Sequence, residues 1–283
     1  MTVETLAKEG SFTGAEGYTI FTRNWAPPTG APRAVLVIVH GFNSHSGHYL
    51  WAGEQFARGG LAVYAIDLRG RGRSEGDRYH IDHIDDYTRD VGSLIDQARV
   101  ENPGLPVFLL GHSAGGVVSC VYALDHQAKL AGLICESFAH ELPAPGIALA
   151  VLKGLSHVVP HAHVLKLDNA HFSRDPKVVE ALNNDPFVKD EAQPTETVAA
   201  MLRGDDRLKQ GFAQLTLPVL ILHGTEDKVT KPSGSQHFYE QAGAQDKTLK
   251  LYEGHFHDLL NDLDKELVLA DIQQWIDARI PTA

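Results

Sequence analysis

The sequence is short of cysteine, of basic runs and of long apolar stretches, and each shortage closes off a class of protein. Two cysteines in 283 residues cannot build a disulfide framework. Cys120 and Cys135 both lie in apolar segments and read as small buried hydrophobes. Positive charge is scarce. The formal net charge is −11, and the densest basic stretch, Arg69, Arg71 and Arg73, is brief and threaded with glycine. Neither nucleic acid nor an anionic membrane surface is expected to attract the protein as a whole. No run reaches the ~18 apolar residues that a membrane helix needs. The first ten residues, M-T-V-E-T-L-A-K-E-G, lack the basic region and apolar core of a signal peptide. The expectation is a cytoplasmic protein with no integral membrane segment.

What is present is 43% hydrophobic residues with plentiful glycine and proline, enough for one large α/β domain with an insertion. Residues 11–26 read as an edge hairpin. Ala34–Val39, Leu61–Ile66, Val107–Leu110, Leu130–Cys135, Val219–His223 and Thr248–Tyr252 read as strands. Helices are predicted over Tyr49–Ala57, Ile84–Val100 and Leu263–Ile280. In the second, Ile84, Tyr87, Val91, Leu94, Ile95 and Ala98 share one face. Strands alternating with helices predict a mostly parallel sheet covered on both faces. The alternation lapses for about eighty residues before Val219, where a crossover needs only about thirty. Part of that stretch must be an insertion, and its prolines keep the helices short.

The chain is organised around Val107–Ala123, V-F-L-L-G-H-S-A-G-G-V-V-S-C-V-Y-A. An apolar strand breaks at Gly111 and an uncharged helix follows, with Gly111-His112-Ser113-Ala114-Gly115 at the junction. A G-x-S-x-G turn between strand and helix exposes the serine hydroxyl above the sheet edge. The small residues on either side let strand and helix approach. The helix N-terminus offers free N–H groups to negative charge forming beside Ser113.

A serine hydroxyl needs a base, and the base needs an orienting carboxylate. Two later loops fit, each after a strand and on the edge where ligands of open α/β sheets bind. These are Gly224-Thr225-Glu226-Asp227 and Gly254-His255-Phe256-His257-Asp258. Within them Glu226 competes with Asp227 and His255 with His257, and Glu136 is a further candidate acid. The oxyanion needs about two N–H donors. Ala114 N–H is one, and Phe42 N–H, in the loop His40-Gly41-Phe42, is the other. His157, His161, His163 and His171 suggest a metal cluster, but Pro160 breaks their helical spacing and no carboxylate or cysteine completes the set. Neither a metal nor a cofactor is expected.

These stretches, with His45-Ser46-Gly47-His48-Tyr49 and Asp67-Leu68-Arg69-Gly70-Arg71-Gly72-Arg73-Ser74, resemble the α/β-hydrolase superfamily. Within it they look like the monoacylglycerol-lipase and lysophospholipase-like branch. The resemblance runs from about residue 15 to the end. It implies an α/β-hydrolase fold and the triad Ser113, Asp227 and His257, demoting Glu226, Glu136 and His255. It also implies a core of residues 1–136 and 215–283 with a cap, or lid, of residues 137–214. Three departures stand out. Ala114 replaces a frequent methionine, the loop reads Phe42-Asn43-Ser44, and His48 stands where an arginine is common. His45 and His48 are candidate substrate contacts. In the cap, Ile147, Val151, Leu155 and Val158 share a helical face predicted to roof the acyl pocket, with Lys153, Ser156 and His157 opposite.

The expected function is cofactor-free hydrolysis of carboxylic esters, monoacylglycerols or similar medium-chain monoesters leading. The partner is a small-molecule ester, with transient contact to a lipid interface through the cap. On the same fold the alternatives are a lysophospholipase, an acyltransferase or a peptidase. From another class stands a non-catalytic ligand-binding protein.

Overall fold

A computed structural model describes residues 7–141, 151 and 153–281. The first residues, read above for a signal peptide, and most of 146–152, including Ile147, lie outside this range.

The elements run β1 (Lys8–Thr13), β2 (Thr19–Trp25), β3 (Ala34–Val39), α1 (Leu50–Arg58), β4 (Leu61–Ile66), α2 (Ile84–Glu101), β5 (Val107–His112), α3 (Ala114–His126) and β6 (Gly132–Glu136). After them come β7 (His163–Leu165), α4 (Pro176–Asn184), β8 (Gln193–Pro194), α5 (Thr195–Gly211), β9 (Val219–Gly224), α6 (Pro232–Gln241), β10 (Lys247–Tyr252) and α7 (Lys265–Asp277). The main sheet has eight strands in the order β1-β2-β4-β3-β5-β6-β9-β10. β1 and β2 pair antiparallel, and β2 runs antiparallel to β4. All pairs from β4 to β10 are parallel. This is an α/β-hydrolase fold, a mostly parallel sheet with helices on both faces.

The apolar runs become strands because both of their faces are covered. In β3, side chains alternate between two cores, as the twofold period of a strand requires. Val35, Val37 and Val39 pack with α2 and α3, while Leu36 and Ile38 pack with α1 and α7. α3 is apolar nearly all round because it is held between the sheet and α5. Ala200, Met201 and Leu208 of α5 belong to the same cluster as Val117 and Val121 of α3. The excursion between β6 and β9 leaves from the C-terminal end of β6, and its strands β7 and β8 pair with each other rather than with the main sheet.

Candidate active site

β5 ends at His112 and α3 begins at Ala114, which leaves Ser113 between them at φ 56° and ψ −120°. A non-glycine residue there is strained by about 1–3 kcal/mol, so the surroundings must hold it. Ser113 N–H donates to Glu136 O at 2.9 Å, and Ser113 C=O accepts from Gly116 N at 2.9 Å. The turn is closed by steric necessity. A Cβ on Gly115 would lie 2.3 Å from Val39 O, and one on Gly41 would lie 2.7 Å from Ser113 Cβ. Only glycine lets β3, its exit loop and α3 meet at this distance.

The loops after β9 and β10 bring Asp227 to His257. His257 Nδ1–H donates to Asp227 Oδ2 at 2.7 Å. Asp227 Oδ1 accepts the N–H groups of Val229 (2.7 Å) and Thr230 (3.0 Å), and Oδ2 accepts the Thr230 hydroxyl at 2.9 Å. A second histidine shares that oxygen: His223 Nε2, at the end of β9, is 3.1 Å from Asp227 Oδ2. Its Nδ1 is 2.7 Å from Ser235 Oγ. Burial opposes ionisation of Asp227. His257 and His223 overcome it and hold the carboxyl well below the usual carboxylate range. Among the described residues His257 Nε2 has no hydrogen-bond partner although it is buried. Phe172 packs edge-on against the His257 ring at 5.1 Å, and His112 lies on it at 4.8 Å. His112 Nε2–H reaches His257 O at 3.3 Å, and burial lowers the His112 pKa to about 4.

The rival residues lie elsewhere. Glu226 is exposed. His255 Nδ1 is 3.2 Å from Glu253 O, away from Asp227. Glu136 is fully buried and accepts Leu260 N–H at 3.0 Å, and burial together with nearby Asp258 pushes its carboxyl well above the ordinary range. His223 was not singled out from the sequence. Its signal was present as a histidine closing an apolar strand four residues before Asp227.

Phe42 and Ala114 both line the same cavity as Ser113. Ala114 N–H belongs to the first turn of α3 and has no intrahelical acceptor. The Phe42 loop is built on groups from the excursion. Glu191 Oε1 accepts Asn43 N–H at 2.9 Å and pairs with the Arg71 guanidinium. Arg71 lies 4.4 Å over the Phe42 ring, donates to Tyr87 Oη at 2.9 Å and reaches Gln193 Oε1 at 2.6 Å. Asn43 sits at φ 51°, and its side-chain amide donates to Asn169 Oδ1 at 2.8 Å.

The cavity has a volume of about 830 Å³. Its apolar wall comes from Val117 of α3, from Val198, Met201 and Leu202 of α5, and from Val164 and Leu167. Four sequence expectations need correcting here. Val151 and Leu155 do not line it; they are 54% and 42% exposed, and Val158 is 76% exposed. Lys153, expected on the outward face, lines the cavity, and Ser156 is buried. Helix is present at 151 and 153–155 and gives way to a turn at 156–158, and His157 is exposed as expected; α5 already supplies the apolar lining. His45 and His48 do not line the cavity either. Their Nε2 atoms approach Asp185 Oδ2 at 2.8 and 3.1 Å, tying the loop after β3 to the end of α4. The histidines at 157, 161, 163 and 171 do not form a metal-holding group among the described residues, and His161 instead lies 4.4 Å from the ring of His80.

Fold and site together define an α/β-hydrolase. Residues 30–264 match the family described as serine aminopeptidase, S33. The chain is 34% identical to a monoacylglycerol lipase of Mycolicibacterium smegmatis, over 97% of this chain and 98% of that one. It is 33% identical to the monoglyceride lipase of Homo sapiens, over 95% and 90%. The crystal structure of Paleococcus ferrophilus monoacylglycerol lipase matches with a TM-score of 0.83 at 28% identity, covering 92% of this chain and 99% of that one. The chain belongs to the S33 serine hydrolase family, in its monoacylglycerol-lipase branch, and is a carboxylic ester hydrolase. Among the described residues no helix is long and apolar enough to cross a membrane.

Proposed function

We propose that the protein hydrolyses medium-chain monoesters, monoacylglycerols foremost, through an acyl-enzyme on Ser113. Ser113 Oγ attacks the ester carbonyl, and His257 Nε2 takes its proton and returns it to the departing alcohol. Asp227 orients the imidazole and stabilises its cation, and the N–H groups of Phe42 and Ala114 hold the oxyanion. Water then attacks the acyl-enzyme by the same route. The observation that carries this reading is the buried His257–Asp227 pair, with Nε2 unpartnered, at the same sheet edge as a strained serine that opens on an apolar cavity. A binding module gains nothing from that pair.

Residues 137–214 act in this reading as the cap over the cavity, with α5 as its apolar wall. The outward apolar residues Val151, Leu155, Val158 and Val159 suit contact with a lipid interface. A peptidase is the second reading, favoured by the printed family description. The cavity favours acyl chains instead, since Val117, Val198, Met201 and Leu202 give it an aliphatic wall on the α3 and α5 side.

The test is a series of p-nitrophenyl esters of rising chain length alongside 1-monoacylglycerols and aminoacyl amides, with a fluorophosphonate probe to label the nucleophile. Labelling that Ser113→Ala abolishes, with monoesters preferred over amides, supports the proposal. Labelling that survives Ser113→Ala sinks it.

A further inference from the structure

His140, Glu141 and His237 form a cluster that the ester chemistry does not use. His140 and Glu141 lie on the chain leaving β6, and His237 is on α6. His140 Nε2 and His237 Nδ1 are 3.3 Å apart, and His237 Nδ1 is 3.9 Å from Glu141 Oε1. One ligand atom from each lies within 4.8 Å of the others. Ligands on a tetrahedral zinc ion, at bonds of about 2.0–2.1 Å, stand roughly 3.4 Å apart. The two nitrogens already match that spacing; the carboxylate oxygen has to close by about half an ångström on His237 and lies within 4.8 Å of His140.

The surrounding bonds point the ligand atoms at one another, His140 Nε2 accepting His237 Nδ1–H at 3.3 Å until a metal displaces that proton. His140 Nδ1–H donates to Asp205 Oδ1 at 2.5 Å, which fixes the tautomer with Nε2 unprotonated. Asp205 is held in turn by Lys209 at 2.8 Å. A carboxylate behind the far nitrogen of a ligating histidine is the usual support of a metal site. Glu141 Oε2 accepts the Ser233 hydroxyl at 2.6 Å, so that Oε1 is the oxygen turned to the histidines. The His237 ring is 43% exposed on its side chain, so its Nδ1 proton can pass to Nε2 and into water when a metal binds. The His140 side chain, by contrast, is 1% exposed, so the cluster has one rigid ligand and two that can adjust.

Two other clusters of this kind fit less well. In His45–His48–Asp185, His45 Nδ1 accepts Gly47 N–H at 3.0 Å, so Nε2 carries the proton given to Asp185 and has no lone pair to offer. In His112–Glu136–Asp258 all three residues are buried, and burial with nearby Asp258 disfavours the charged form of Glu136.

We infer that His140 Nε2, His237 Nδ1 and Glu141 Oε1 bind a divalent transition ion of the zinc type, with water in the fourth position. The ion would join the start of the excursion after β6 to α6, in the wall of the cavity that Ser113 also lines. None of its three ligands is hydrogen-bonded to His257 or Asp227, and it takes no part in the proton transfer proposed for them.

The test is a zinc titration of the full-length, EDTA-stripped protein against a chromophoric chelator, repeated with cobalt(II). One equivalent of zinc is expected to bind, with visible absorption of tetrahedral intensity in the cobalt form. His237→Ala, at a half-exposed position, should weaken binding at least tenfold while the melting temperature stays near wild type. Glu141→Gln should do the same, and Asp205→Asn should cost about ten- to a hundredfold through the tautomer of His140. His48→Gln should change nothing. The inference is overturned if no stoichiometric binding is seen, if His237→Ala binds as wild type does, or if binding is lost in His48→Gln instead.

Discussion

Asp227 Oδ2 takes hydrogen bonds from His257 and Thr230 and has His223 Nε2 3.1 Å away, an environment that favours the ionised carboxylate. Under the proposed mechanism Asp227→Asn should lower kcat by about four orders of magnitude, because the amide stabilises the wrong imidazole tautomer. Ser113→Ala and His257→Ala should each be as severe, and the double variant little worse than either. Glu226→Gln should leave kcat near wild type, since that side chain is exposed. Glu136→Gln should also be mild, because burial and nearby Asp258 push this carboxyl toward its neutral form, which an amide resembles. Steady-state kinetics on a short ester decide all of these, and a mild Asp227→Asn beside a dead Glu136→Gln would reverse the assignment. Much at this scale was readable in the sequence. A serine between glycines has few ways to sit between a strand and a helix; the loop aspartate follows an apolar buried strand, and the loop histidine follows a mixed, half-buried one. His223 was hidden because a histidine ending a buried strand looks, in sequence, like any packing residue.

The elements are legible to within a few residues wherever an apolar run is buried on both faces, as in β3, β4, β5 and β9. The excursion was legible only as an interruption. An amphipathic period does not say which face turns inward, and around residues 151–158 the helix ends in a turn with Lys153 and Ser156 inward and Val151, Leu155, His157 and Val158 exposed. The reading assumed that apolar meant inward, and α5 had already filled that place. Substitutions should follow the observed side. Met201→Asp should flatten the gain in kcat/KM with acyl length, which in wild type is expected to reach up to ~0.8 kcal/mol per buried methylene. Leu155→Asp should leave the slope on dissolved esters intact and reduce activity only on micelles or vesicles. A chain-length series on both variants checks this, and a flattened slope for Leu155→Asp alone would restore the original face. The Phe42 loop was the other surprise. Its support, Glu191, lies about 150 residues away, and no local pattern announces a buried ion pair. Breaking it by Glu191→Ala should cost about 3–5 kcal/mol, because Arg71 is left charged and buried. Thermal unfolding measures the loss, and kcat should fall with it as Phe42 loses its backing.

Across the whole molecule, several histidines are held neutral by burial. His40, whose Nε2 accepts Leu68 N–H at 3.0 Å, titrates well below the ordinary value, and His45 and His112 are also lowered, chiefly by burial. In the unfolded chain each would protonate near ~6.5. Below that pH the unfolded state therefore binds more protons than the folded one, and stability falls as pH drops. The loss for His112 runs from about 6.5 down to its folded value of about 4 and amounts to on the order of 3 kcal/mol. Asp185 adds the same sign at lower pH: burial works against its charge, but His48 and His45 hold its pKa down, so its contribution is lost as the carboxylate is protonated. The melting temperature should be flat above neutrality and fall by several degrees between pH 6.5 and 5. A melting temperature that rises over that interval would contradict the neutral state of these rings.

The excursion grips the catalytic edge at several separate places. Glu191 and Asn169 hold the loop after β3, and Asp185 holds its two histidines. Phe172 O accepts Asp258 N–H at 2.8 Å beside His257, and Arg174 pairs with Asp262 at 2.8 Å. Under the proposed mechanism, anyone exchanging this region for that of a relative, to alter chain-length preference, would be transplanting supports of the catalytic loops along with the cavity wall. A working chimera has to carry Asn169, Phe172, Arg174, Asp185 and Glu191 with the graft, or keep them and exchange only the lining of α5.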